Sequence, residues 1–464
     1  MTKNDVPNWV KDAIFYQIFP ERFANGDKSN DPDNTVSWGT DPTRQNFFGG
    51  DLQGIIDHIP YLKDLGISAI YLNPIFKGRT NHKYDTCNYF KIDPRFGSKK
   101  TFRTLIEKAH QEDIKVILDA VFNHCGAGFW AFEDVKEKGP SSEYAPWFFI
   151  NNHPIKKDPL NYQTAGCTWY LPKLNVEHPE VREHLLNVAT YWIEEFEIDG
   201  WRLDIPWKVP YGFWVEFREE VKALNPNAYI VGEVWRDSIP WTRGDTCDGV
   251  MNYTLREYVL DYCVHQTMDA EDFDYEVANL RKNHGEWAPF QLNLLGSHDT
   301  PRFLTLCEND VKKAVVAWTF VFTYIGSPMI YYGDEIGLEG GNDPDCRRSM
   351  PWDETQWNKE IYNLYRKLIS LRKKHPALRT GSFKTLKVFN GVYVYLRHQE
   401  DENIIVILNP RGAYNHIKIP LQNISSHKRT WKDLLNSDLS YPVEDGSIII
   451  DKLPAKSALI LYPK

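Results

Sequence analysis

Arg202 and Asp204 stand two residues apart in Ile198-Asp199-Gly200-Trp201-Arg202-Leu203-Asp204. On a β-strand that spacing turns both toward one face and Trp201 and Leu203 toward the other. A core strand has little reason to set an arginine beside a carboxylate, so the pair marks a buried ion pair or a reactive centre. Similar groups end other apolar runs: Asp119-Ala-Val-Phe-Asn-His124, Glu233 in Tyr229-Ile-Val-Gly-Glu233, and His298-Asp299 after Leu295. His82-Lys-Tyr-Asp85 adds a histidine, a carboxylate and Tyr84 in a loop. With no cysteine cluster, two chemistries are open: metal-assisted hydrolysis by His and Asp, or glycoside hydrolysis with one acid as nucleophile and another as proton donor.

These groups need strands to carry them. Strand-like runs fall at 13–19, 67–72, 115–119, 199–204, 229–233, 249–252, 291–295 and 328–332. Helical spacing alternates with them at 52–65, 99–112, 179–196, 211–224, 254–267, 271–284 and 309–324. Eight such units predict an α/β fold, a (β/α)8 TIM barrel. No glycine-rich phosphate fingerprint follows a strand, which disfavours a doubly wound sheet. Between 125 and 178 the periodicity gives way to Pro, Trp, Phe and Asn, predicting a small domain inserted after the third strand. A helix at about 358–374 closes the series, and short strands at 392–396, 404–408, 417–419, 448–450 and 458–462 then predict a C-terminal antiparallel β-sandwich. The expected domains are therefore the barrel at 1–124 and 179–380, the insertion at 125–178 and the sandwich at 381–464.

Composition narrows the class. A hydrophobic content of 42% supports a full core, and a net charge of −9 disfavours nucleic acid as a partner. The seven cysteines are irregularly spaced, with no C-x-x-C, which fits a reducing compartment. The N-terminus lacks an apolar stretch of signal-peptide length and no 18 apolar residues run together, so a soluble cytoplasmic protein without membrane attachment is expected. Metal-dependent barrels usually show His-x-His after the first strand, where this chain has Phe19-Pro20; the 16 Trp and 25 Tyr suit stacking on sugar rings. Glycoside chemistry is the better reading.

Asp119-Ala-Val-Phe-Asn-His124, Gly200-Trp-Arg-Leu-Asp204, Gly232-Glu-Val-Trp235 and Ser297-His-Asp-Thr300 resemble the four ordered signature segments of the α-amylase family of glycoside hydrolases. Leu171-Pro-Lys-Leu-Asn175 and Gly341-Asn-Asp-Pro-Asp-Cys-Arg-Arg348 are similar to its cyclomaltodextrinase, neopullulanase and maltogenic amylase branch. The resemblance implies Asp204 as nucleophile, Glu233 as general acid/base and Asp299 as the third acid. It also implies His82, Tyr84, Asp85, His124, Arg202, His298, Arg302, Trp207, Lys208 and Trp235 as substrate contacts, with an α-glucan or maltooligosaccharide as substrate. A transferase or trehalose-forming isomerase on the same fold is the alternative, and a non-catalytic sugar-binding relative a more distant one. Two departures stand out: the N-terminal domain usual in that branch is not in the chain, which leaves the oligomeric state open, and Ile205-Pro-Trp-Lys208 replaces the usual run after the nucleophile. Trp207 is equally readable as a stacking platform or a packed wall.

The polar stretch near the start holds Asn25, Asp27, Asn30, Asp31, Gly49 and Asp51. Hard oxygen donors at close spacing suit Ca²⁺, although Asx turns would use the same residues. The stretch resembles a calcium loop of the same branch, which implies a structural Ca²⁺ there and no organic cofactor.

Overall fold

The computed structural model describes residues 6–421, 424 and 428–464. Ten strands follow one another first: β1 (Phe15–Ile18), β2 (Ala69–Leu72), β3 (Phe76–Gly78), β4 (Thr86–Ile92), β5 (Lys115–Ala120), β6 (Gly200–Leu203), β7 (Tyr229–Val234), β8 (Gly249–Asn252), β9 (Leu292–Leu294) and β10 (Ser327–Tyr331). Apart from the β3–β4 hairpin, they close into a parallel barrel in the order β1-β10-β9-β8-β7-β6-β5-β2. β1, β2, β6 and β7 are buried at every residue, as strands covered on both faces must be. The strand-and-helix alternation of the sequence is thus realised as the TIM barrel it predicts.

By contact density the chain forms two compact units: Met1–Asn8, Phe15–Met251 and Asn342–Trp352; and Trp9–Ile14, Asn252–Gly341 and Asp353–Lys464. In the first, the helix Lys99–Gln111 starts at Ser98, whose hydroxyl and Thr101 form a capping box, and buries Phe102, Leu105, Ile106 and Ala109 on one face. The helix Pro179–Phe196 opens on a proline and ends at Glu197 in left-handed backbone. Where the sequence predicts one helix at 52–65, there are two, Leu52–Asp57 and Ile59–Leu65. Pro60 is the reason, because it lacks an N–H and crowds the carbonyl four residues back. Residues 125–178 hold one longer helix, Trp130–Lys138, and isolated bridges such as Phe148 with Leu174.

In the second unit eight more strands form the C-terminal antiparallel sheet: β11 (Ser382–Phe389), β12 (Val392–Gln399), β13 (Glu402–Asn409), β14 (Tyr414–Pro420), β15 (Thr430–Asp433), β16 (Ser440–Glu444), β17 (Ser447–Leu453) and β18 (Ser457–Pro463). Their order is β11-β12-β13-β18-β15-β16-β17-β14. Val394, Ile407, Ile419, Trp431, Ile450 and Leu461 share one core, so both ends of that order pack on the same apolar layer. β11, β15 and β16 were not expected from the sequence, and every residue of β11 and β16 is at least partly exposed.

Candidate active site

β6 alternates as its sequence dictates. Trp201 and Leu203 are fully buried on one face, and Arg202 is fully buried on the other. The parallel register sets Asp119 of β5 opposite Arg202, and Leu203 opposite Gly232 of β7, one residue short of Glu233. The guanidinium therefore meets three carboxylates. Its Nη1 donates to Asp119 Oδ1 at 2.8 Å and to Asp204 Oδ1 at 2.9 Å, and its Nη2 lies 2.8 Å from Glu233 Oε2. Tyr71 and Tyr84 donate their hydroxyls to Asp119 Oδ2 at 2.7 and 2.9 Å, and Asn73 donates to the Tyr84 oxygen at 3.1 Å.

Burial pushes the Asp119 carboxyl above its usual range, while Arg202 and the two tyrosines pull it back. Burial also opposes the charge of Arg202, but Asp119 and Glu233 outweigh it, and the guanidinium stays firmly protonated. The hydroxyls of Tyr71 and Tyr84 are driven well above their normal range by burial and act as neutral donors. Glu233 takes further donors: the Ile205 N–H reaches Oε2 at 3.0 Å and the Trp235 indole N–H reaches Oε1 at 2.8 Å.

The β3–β4 hairpin carries the loop with His82, Tyr84 and Asp85. His82 accepts the Tyr84 N–H on Nδ1 at 3.1 Å. His82 and Tyr84 line a cavity of about 250 Å³ with Arg22, Arg44, Tyr170 and Arg347. Asp85 points elsewhere, into its own loop, accepting the N–H groups of Arg79 at 2.8 Å and Thr80 at 3.2 Å. His124 is buried, its Nδ1 is 3.2 Å from Asn123 Nδ2, and its Nε2 has no hydrogen-bond partner among the described residues. Burial lowers its pKa to about 4, so the ring is neutral.

In the second unit, β9 leads to Ser297, which accepts the Tyr253 hydroxyl at 3.1 Å. His298 Nε2 lies 3.0 Å from Asp299 Oδ2; His298 is buried and Asp299 is exposed. Arg302, by contrast, is fully buried, donating to Asp334 Oδ1 at 3.0 Å with its guanidinium 3.9 Å from the centre of the Tyr331 ring. Burial raises the Asp334 carboxyl to about 6, against the pull of Arg302. Arg302 is thus an internal strut rather than the substrate contact expected of it.

The α-amylase catalytic domain model matches residues 17–358. This chain belongs to the α-amylase family. It is 49% identical over 420 residues to a cyclomaltodextrinase of Geobacillus thermopakistaniensis, covering 89% of this chain and 71% of that protein. It is 44% identical over 428 residues to the intracellular maltogenic amylase of Bacillus subtilis, 91% of this chain and 72% of the relative. A solved cyclic α-maltosyl-(1→6)-maltose hydrolase from Arthrobacter globiformis, in complex with that sugar, superposes with a TM-score of 0.90 at 42% identity. That match covers 98% of this chain and 99% of the other.

As a glycoside hydrolase of the α-amylase family, the chain has further groups to place. Trp207 and Lys208 lie on the short turn Pro206–Lys208, both exposed, and Trp207 is 42% accessible, which suits a platform better than a packed wall. Trp235 is half-buried. In the polar stretch, Asp27 caps its own turn through the Ser29 N–H, and Asp51 accepts from the N–H groups of Gly26, Asp27 and Gly54. Among the described residues no three His, Cys, Asp or Glu side chains gather as a metal cluster. Two amide oxygens of the stretch, Asn25 Oδ1 and Asn30 Oδ1, are nevertheless buried without a hydrogen-bond partner among the described residues. Gly49 belongs to the same stretch: a Cβ there would fall 2.2 Å from Asp31 Oδ1 and 2.5 Å from Asn25 Nδ2. Orphaned hard acceptors in a stretch where Gly49 leaves no room for a side chain fit a cation.

Tyr71 and Asn73, which brace Asp119 and Tyr84, belong to none of the signature segments. Their parity is the signal that could have found them, because Tyr71 and Asn73 alternate with Leu72 as Arg202 and Asp204 do with Leu203.

Proposed function

We propose that the protein is a retaining α-glucan hydrolase that cleaves α-1,4 bonds of maltooligosaccharides and cyclodextrins by double displacement. The observation that carries this is the single buried guanidinium of Arg202 shared by Asp204 and Glu233. A retaining mechanism needs two carboxyls about 5–5.5 Å apart, closer than an inverting enzyme, which leaves room for a water between them. Arg202 favours Asp204 as the ionised nucleophile. Glu233 protonates the leaving oxygen while Asp204 bonds to the sugar carbon. Once Asp204 is an ester its charge is gone, and Arg202 is left facing Asp119 and Glu233. That favours Glu233 as carboxylate, the form needed to take a proton from the incoming water. Asp299 takes the third acid's part on the resemblance of Ser297–Thr300, with His298, His124, His82 and Tyr84 holding the sugar.

A second reading concerns the substrate. A solved neighbour that covers 98% of this chain is a hydrolase of cyclic maltosyl-(1→6)-maltose, which supports small cyclic glucans as substrates here. Activity on β-cyclodextrin, maltotriose, pullulan, soluble starch and cyclic maltosyl-maltose separates the readings, and following reducing ends over time separates hydrolysis from transfer. Asp204→Asn is expected to abolish turnover on each with the fold intact; substantial remaining activity would overturn the assignment.

For the polar stretch we propose a structural Ca²⁺ held by Asn25, Asp27, Asn30, Asp31, Asp51 and the Gly49 carbonyl. Bound there, it would pin a loop that otherwise leans on Asx turns. Among the described residues no helix is long and apolar enough to cross a membrane. The likeness to an intracellular maltogenic amylase supports a cytoplasmic location.

A further inference from the structure

We propose that Trp235 is a positioning residue for the acid/base, and that with Ile205 it fixes Oε1 as the oxygen of Glu233 that carries the catalytic proton. The inference rests on Glu233 as acid/base. Oε2 lies between the Ile205 N–H at 3.0 Å and Arg202 Nη2 at 2.8 Å, two groups that can only donate. A proton on Oε2 would meet a full positive charge. Oε1 faces the neutral indole N–H of Trp235 at 2.8 Å. A protonated Oε1 keeps a lone pair for that N–H, but the bond is strongest to the carboxylate.

The two donors differ in rigidity. Ile205 sits at φ 35° and ψ 56°, left-handed backbone that a β-branched residue rarely adopts, and Pro206 after it disfavours an alternative helical geometry. Its turn is closed by the Lys208 N–H on Ile205 O at 3.0 Å and by the Trp214 indole on Pro206 O at 2.9 Å. Such strain persists where the surroundings over-determine it, and here it aims an N–H at Glu233. Trp235 stands just past the end of β7 and is half-buried, so its indole is held less tightly than the Ile205 N–H.

In the first half of the reaction the Oε1 proton passes to the glycosidic oxygen, which keeps the electron pair of the breaking C–O bond as Asp204 bonds to the carbon. Glu233 becomes the carboxylate and the indole N–H binds it more tightly. In the second half a water gives its proton to Oε1, its oxygen bonds to the carbon, and the ester pair returns to Asp204. Trp235 thereby lowers the proton affinity of the acid/base.

The test is the pH profile of kcat/KM for Trp235→Phe on maltotriose and on a maltoside with a nitrophenol leaving group, which needs little protonation. Loss of the donor should move the alkaline limb upward by about one pH unit on maltotriose, with little movement on the activated substrate. Benzothienylalanine at 235, which replaces N–H by sulfur at nearly unchanged shape, should shift the limb equally and serves if the phenylalanine variant does not fold. A limb that stays in place in the folded variant overturns the inference, as does an equal shift on both substrates. Glu233→Gln is the separate control: if it keeps activity on maltotriose, the acid/base assignment fails, whatever Trp235 does.

Discussion

Asp119 Oδ1 and Arg202 Nη1 lie 2.8 Å apart, and neither side chain shows any surface to solvent. The pair comes from directly facing positions of β5 and β6, so its geometry is fixed by strand register. A buried ion pair of this kind contributes little net stability, because desolvation offsets attraction. Its effect is positional: with Asp119 braced by Tyr71 and Tyr84, the guanidinium is held where it can meet Asp204 and Glu233.

Arg202→Lys keeps one charge and loses the planar fork, so it cannot reach all three carboxylates. We expect kcat/KM to fall at least about 100-fold, on the order of 3 kcal/mol of transition-state stabilisation. Arg202→Met should go further, leaving Asp119 unpaired and costing about 3–5 kcal/mol of stability. Steady-state kinetics beside thermal unfolding check both. A lysine variant within threefold of the parent would show that the bridge does not serve the reaction.

Gly200 opens β6 at φ +152°, and a Cβ there would lie 2.0 Å from the Tyr229 carbonyl oxygen of β7. The obstacle is backbone, so the strand itself must move. Gly200→Ala should lower the unfolding midpoint sharply and cut activity together with it, since β6 carries Arg202 and leads directly into Asp204. A variant with parental stability would mean the strands tolerate a wider spacing than the structure shows.

Much of this arrangement was legible from Arg202 and Asp204 outward, because strand parity and hydrophobic period are local. The helices at 179–196 and 211–224 coincide with their predicted bounds for that reason. What stayed hidden is non-local. Arg302 looked like a substrate contact by its place after His298-Asp299, yet its burial against Asp334 and Tyr331 depends on chain thirty residues on. Asp85 likewise spends both oxygens on Arg79 and Thr80, a turn that becomes visible only with the β3–β4 hairpin. The strands β11 and β16 escaped because their apolar residues are few and only partly buried, Leu386 and Phe389 in one and Tyr441 and Val443 in the other.

His184 lies on the helix Pro179–Phe196 among Tyr89, Phe90, Phe129 and Trp147, with ring centroids 5.6–6.1 Å away. Burial lowers its pKa to about 4, from 6.5. The unfolded chain therefore binds a proton between these values that the folded chain does not. Its contribution to stability is present above about pH 6.5 and is lost as pH falls toward 4. Over that window the loss is on the order of 2–3 kcal/mol. His184→Gln should remove this part of the acid sensitivity, leaving that of His124 and His284, whose pKa values are also lowered to about 4. Urea unfolding at pH 7 and pH 4.5 measures it; parallel losses in parent and variant would exclude His184 as a source.

The orphaned oxygens of Asn25 and Asn30 make the strongest case for metal removal. If Ca²⁺ binds there, it stabilises the folded chain by mass action, worth about 2.7 kcal/mol at a hundredfold excess over its dissociation constant. Chelation by EDTA should then lower the melting temperature by a few degrees, and Ca²⁺ should restore it. Mg²⁺ should not, because it demands a tighter octahedral shell and gives up its water reluctantly. Gly49→Ala would place a methyl within 2.2 Å of Asp31 Oδ1 and should abolish the response. Identical melting curves with EDTA and with Ca²⁺, at several protein concentrations, would rule the site out.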